Sequence, residues 1–164
     1  MREPLRQYMR LGLVHFMAYP FAMAGEGEIE ATVRRVLADD FFEYIELTRI
    51  NDPALRARVG ELSRQAGVKV AYGAQPQLMR NQENLNSLDE ALRQRAVERM
   101  KACVDEACEM GAEGIAFLAG RYDPQRIEEA YRALAQSTRE ICAYAASKGG
   151  LAVNLEVFDY DVEK

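Results

Sequence analysis

The chain has 164 residues, 49% hydrophobic and 29% charged, the profile of one soluble domain with a single core. Its net charge of −5 argues against holding nucleic acid through a basic patch. No apolar run approaches the roughly 20 residues that span a bilayer, and MREPLRQYMRLGLV lacks the apolar core of a signal peptide, so a cytoplasmic protein is expected.

The pattern alternates strand and helix. A first strand is expected over Leu11–Phe16, with His15, the single histidine, near its end. A helix follows over about Gly27–Ala38, with Ile29, Val33, Val36 and Leu37 as its apolar stripe. A second strand covers Phe42–Thr48. Asp52-Pro53 then reads as an N-cap with proline at the first helical position, and that helix closes at Gly67. Val68–Ala74 is a third strand, followed by a long polar loop over Gln75–Asn86.

Ser87 with Glu90 three residues later predicts a capping box, opening a helix that runs to Met110 and stops at Gly111. Leu92, Ala96, Met100, Cys103 and Ala107 mark its buried face. Gly114–Ala119 is a fourth strand. A helix from Asp123-Pro124 to about Lys148 has Ile127, Tyr131, Leu134, Ile141 and Ala145 as core residues. The three cysteines, Cys103, Cys108 and Cys142, fall in these helices and suit free buried thiols in a reducing compartment.

The fifth strand is Leu151–Phe158. Alternation puts Leu151, Val153, Leu155 and Val157 on one face, and Ala152, Asn154, Glu156 and Phe158 on the other. The second face turns polar toward the C-terminal end, where parallel α/β folds place their chemistry. The fold class is therefore α/β with a parallel sheet, either an open doubly wound sheet or part of a (β/α)8 barrel. HFMAYPFAMAGEGE after the first strand lacks the glycine fingerprint of a dinucleotide site, and no GxxxxGK[ST] occurs. The incomplete barrel remains, with five of its strands.

Several side chains lie where strands end. Glu46 shares a face with Tyr44 and Thr48 and reads either as a substrate contact or as an ion-pair partner. His15 alternates with Leu11 and Leu13 and reads as a substrate contact or a core histidine. Gln75 in YGAQP could bond a substrate hydroxyl or be a loop amide. Asn154 could orient Glu156 or a substrate hydroxyl, or be a buried amide satisfied by backbone. Arg80 and Arg121 could take an anionic group or be solvated. Asp159 and Asp161 could tune a site at the strand end or form an acidic tail.

Three segments carry a family resemblance: GLVHFMAYP, NLNSLDEALRQRAVERMKACVDEACEMGAEGIAFLAG and LAVNLEVFDYD. On them the chain resembles the sugar phosphate isomerase/epimerase family, the xylose isomerase-like TIM barrels, over about strands one to five. The resemblance implies that residues 1–164 form a single domain, the N-terminal part of such a barrel. It implies a divalent cation (Mn, Mg, Co or Zn) held by Glu, Asp, His and Glu at the ends of strands five to eight. That cation polarises a hydroxy-carbonyl sugar while a carboxylate moves a proton through an enediol-like intermediate.

Glu156 stands at the first ligand position and is expected to be both metal ligand and catalytic base. His15, Glu46, Gln75 and Asn154 are the expected substrate contacts. The other three ligands would lie past Lys164, so negligible turnover is expected of this chain, with no metal necessarily bound. The alternative is a non-catalytic truncated barrel that self-associates or binds a small molecule. An endonuclease of the same superfamily is disfavoured by the lone His15 and the acidic balance. The expected partners are a small sugar or polyol and further copies of the chain, paired through open barrel edges, with no nucleic acid and no membrane.

Overall fold

A computed structural model describes residues 7–156. Five parallel strands form one sheet in the order β1-β2-β3-β4-β5: β1 Gly12–Val14, β2 Tyr44–Leu47, β3 Lys69–Gly73, β4 Gly114–Leu118 and β5 Ala152–Glu156. The helices are α1 His15–Ala18, α2 Ile29–Leu37, α3 Pro53–Ala66, α4 Gln75–Asn81, α5 Glu90–Glu109 and α6 Ile127–Ser147. Every strand pairs with its neighbour in sequence, and β1 and β5 each have one partner among the described residues. The sheet is a partial TIM barrel that does not close.

Strand parity divides the sheet into two surfaces. Leu13, Ile45, Val70, Tyr72, Ile115 and Phe117 face the helices, and all but the half-buried Leu13 are buried against Val33, Val59, Val97, Met100, Val104 and Ile141. The opposite surface carries small residues in its lower rows. Val14, Glu46, Ala71, Gly114 and Ala152 line up across the five strands, and Gly73, Ala116 and Asn154 form a row above them. This is the inward surface of the barrel. In β5, at the edge, Leu155 of the helix side is 43% exposed.

Helix ends follow local chemistry. Asp52 Oδ1 accepts from the Ala54 amide at the start of α3, and Gly67 ends that helix in the left-handed conformation, φ +72°. The cap of α5 is Asp89 rather than Ser87: its Oδ1 accepts from the Ala91 and Leu92 amides, while Ser87 Oγ accepts from the Asp89 amide. The predicted capping box is thus displaced by the carboxylate two residues on, and Glu90 turns to Arg93 instead.

Further expectations are corrected. Leu92, Ile127 and Tyr131 are exposed, because only one stripe of α5 and α6 meets the sheet. Of the cysteines only Cys103 is buried, and Cys108 and Cys142 are exposed. Burial pushes the Cys103 thiol up to about 12, which leaves it inert. The expected polar loop at Gln75–Asn86 begins with a helical segment, α4, with Pro76 in its first turn. The predicted continuation of β5 through Val157 and Phe158 lies outside the described residues.

Candidate functional site

The C-terminal ends of the strands bring together Glu46, Gln75 and Glu156. Glu46 projects from β2 onto the inward surface, where it is half-buried. Gly73 ends β3 beside it, and Thr48 Oγ1 donates to the Gly73 carbonyl at 2.7 Å, fixing that end. A Cβ on Gly73 would stand 2.5 Å from Glu46 Oε1, 2.6 Å from Gln75 Oε1 and 2.8 Å from Phe16 Cε1. Only glycine lets these three side chains close over the strand end.

Gln75 opens α4 and is 8% exposed. Its side chain lies beside Glu46 and favours the ionised form of that carboxyl. Gln75 Oε1 is buried with no hydrogen-bond partner among the described residues. Burial pushes the Glu46 carboxyl above the ordinary value, the Glu156 charge adds to this, and Gln75 opposes it. Two carboxylates within electrostatic reach, one of them disfavoured as an anion, can hold and pass a proton.

Glu156 is the last described residue of β5, opposite Leu118 of β4, and is half-buried. Asn154, two residues deeper on the same face, is exposed rather than buried, with Nδ2 3.2 Å from where a Cβ on Gly114 would sit. Among the described residues no three His, Cys, Asp or Glu side chains converge as a metal centre. The described donors therefore do not by themselves fit a tightly held cation. Asp159 and Asp161 lie outside the described residues.

His15 stands apart from these groups. It begins α1 rather than ending a strand, is 1% exposed, and follows the helix-side parity of Leu13. Its Nε2 is 2.9 Å from Thr32 Oγ1 of α2. The Thr32 hydroxyl has two backbone acceptors at 3.0 Å, Glu28 O and Ile29 O, so its single proton goes to them. His15 Nε2 then carries the hydrogen and donates to Oγ1. Burial lowers the His15 pKa to about 4, which keeps the ring neutral.

Phe16 and Gly73 are site residues that sequence reasoning missed. Parity held the signal for Phe16, which lies two positions past the inward Val14. A glycine at the end of a strand, in YGAQP, held it for Gly73. Arg80, in the last turn of α4, is exposed, as is the Arg121 side chain. The Arg121 backbone is held, since its carbonyl accepts from Asn84 Nδ2 at 2.7 Å and Asn86 Nδ2 at 2.9 Å. Asn86 Oδ1 also accepts from the Gly120 amide at 2.5 Å, tying the loops after α4 and β4 together.

The model of the family described as xylose isomerase-like TIM barrel matches residues 35–162. No curated protein sequence matches the chain. Among solved structures, an L-ribulose 3-epimerase superposes with TM-score 0.69 at 22% identity, over 92% of this chain and 50% of that one. The D-psicose 3-epimerase with D-tagatose from Clostridium cellulolyticum H10 gives 0.69 at 15%, over 92% and 53%. A D-allulose 3-epimerase from Methylomonas sp. gives 0.65 at 20%, over 92% and 52%. The chain spans about half the length of these structures, and at such identities the likeness establishes the fold. With the family pattern matched over most of its residues, the chain belongs to the xylose isomerase-like TIM barrels.

Proposed function

We propose that these residues form the N-terminal, single-domain part of a cytoplasmic sugar isomerase or epimerase that moves a proton next to a sugar carbonyl through an enediol-like intermediate. The observation that carries this reading is that Glu46 and Glu156 share the inward surface at the strand ends within electrostatic reach, with Glu46 resisting ionisation. The structural neighbours act on keto-sugars by name, which supports a substrate of that class. In this reading Glu156 is the proton-moving carboxylate and one ligand of a divalent cation, and Glu46, Gln75 and Asn154 contact the sugar. His15 holds α1 to α2 below them and acts on the sugar indirectly. Among the described residues the donors are too few to hold a cation by themselves, so the remaining ligands would come from outside them.

Solvent deuterium exchange into D-fructose, at the carbon beside the carbonyl, tests the reading. A version of the protein extended to eight strands is expected to exchange, and Glu156→Gln to abolish it. The 164-residue chain is expected to show none above background. No exchange from a folded eight-strand protein would overturn the assignment.

A second reading rests on the open sheet. Among the described residues β1 and β5 are parallel edges with one partner each, which favours self-association into a non-catalytic assembly or sugar-binding module. Light scattering of the isolated chain is expected to show a dimer or larger species. A monodisperse monomer would contradict this.

A further inference from the structure

Gly73 closes β3 with the backbone pinned on both flanks. On one side the Ala74 amide donates to the Ala116 carbonyl of β4 at 2.8 Å. On the other, β2 has already ended at Leu47, opposite Tyr72, and the next residue meets β3 with its side chain. Thr48 Oγ1 donates to the Gly73 carbonyl at 2.7 Å, and Thr48 is 3% exposed, so the bond is shielded from water. A buried carbonyl that loses such a partner is left unsatisfied, and the chain shifts to restore one.

Glu46, Gln75 and Phe16 rest on this strand end. Each has an atom within 2.8 Å of where a Cβ on Gly73 would stand, so all three pack against the bare Cα of that residue. Gln75 Oε1 is buried without a hydrogen-bond partner among the described residues, so packing rather than a bond of its own decides where it lies. Glu46 stands two residues before Thr48. One short segment thus carries both the carboxylate and the hydroxyl that fixes the surface beneath it.

Resting on the reading of Glu46 and Gln75 as sugar contacts, we infer that Thr48 is a positioning residue of the candidate site, holding Glu46 and Gln75 in place at the strand ends through the Gly73 backbone. The hydroxyl is the working part. Valine fills nearly the same space without a donor, and serine keeps the donor with one methyl fewer. With valine at 48 the end of β3 is held from β4 alone. The ladder below Gly73 is unchanged, so the fold should persist while the floor under the two site residues loosens.

The test is NMR on the isotope-labelled 164-residue chain. It reads the nuclear Overhauser contacts from the Phe16 ring to the Glu46 side chain and to the Gln75 side-chain amide, with urea denaturation of the same samples. The parent is expected to show both contacts, Thr48→Val to lose them and Thr48→Ser to keep them. Thr48→Ala, which also lacks the hydroxyl, makes the same comparison with serine should the valine variant not fold. Both contacts intact in a folded variant without the hydroxyl, with only stability reduced, would overturn the inference. So would their loss in Thr48→Ser as fully as in Thr48→Val, since shape and not the hydroxyl would then be responsible. A parent chain without the contacts would overturn it at the outset. The readout is geometry and not turnover, so each of these results leaves the sugar reading standing, and a failure of deuterium exchange leaves the Thr48 result unaffected.

Discussion

Glu156, at the end of the fifth strand, raises the pKa of Glu46, at the end of the second, across the inward surface of the sheet. Neutralising one should therefore be felt by the other. In Glu156→Gln the Glu46 carboxyl is expected to titrate at lower pH than in the parent chain. Carboxyl carbon shifts followed against pH measure this directly. An unchanged Glu46 titration would mean that burial alone sets its value.

Glu46 also makes stability depend on pH. Its pKa in the folded chain is raised above the ordinary 4.5, so the native state holds the proton more tightly than the unfolded chain does. The stability this gives is present below 4.5 and is lost as pH rises through the folded value. Glu46→Gln should therefore melt higher than the parent at pH 7, with the gain disappearing below about pH 4. A variant less stable than the parent at both pH values would show that the carboxylate makes favourable contacts beyond those described.

His15 acts in the opposite sense. Its pKa falls from 6.5 to about 4 on folding, so the unfolded chain takes up the proton first as pH drops. Stability is full above about 6.5 and declines through that window by roughly 3 kcal/mol at most. Urea denaturation at pH 7 and pH 4 should show this decline in the parent and a flatter profile in His15→Gln, which keeps a side-chain donor for Thr32.

Gly73→Ala places a methyl within 2.8 Å of three side chains and is expected to cost about 1–3 kcal/mol in chemical denaturation. On the other side of the same strand, Tyr72→Phe removes the 2.7 Å bond to Glu106 Oε2 and should cost about 1–2 kcal/mol. Tyr72 faces the helices, so the two variants probe opposite surfaces of one strand.

Much of the fold was legible because its signals are local and repeated. Asp52-Pro53, Gly67, Gly111 and the alternation in Ile45, Leu47, Val70 and Tyr72 each mark an element independently of distant contacts. The errors share a cause. Ser87 lost the α5 cap to Asp89 because two capable side chains stood two residues apart, and geometry chose between them. Leu92, Ile127 and Tyr131 fit an apolar stripe, yet the turns that carry them run past the sheet they would have packed on. The apolar pattern carries strand one on to Phe16, but the strand stops at Val14 and His15 opens α1 instead. Glu46, Gln75 and Glu156 were legible singly from their positions at strand ends. Their convergence depends on the register that sets Glu46 beside Ala71 and Leu118 beside Glu156, which no single segment encodes.

The sequential strand order bears on how the protein is made. Among the described strands each finds its partner in the strand just before it, so none of these pairings waits for a distant segment. Loop closure is limited to one helix and its turns at each step, which keeps the entropic cost of every addition small. A nascent chain can therefore lay down the sheet from β1 to β5 as it emerges, each new strand templated by a hydrogen-bonding edge already in place.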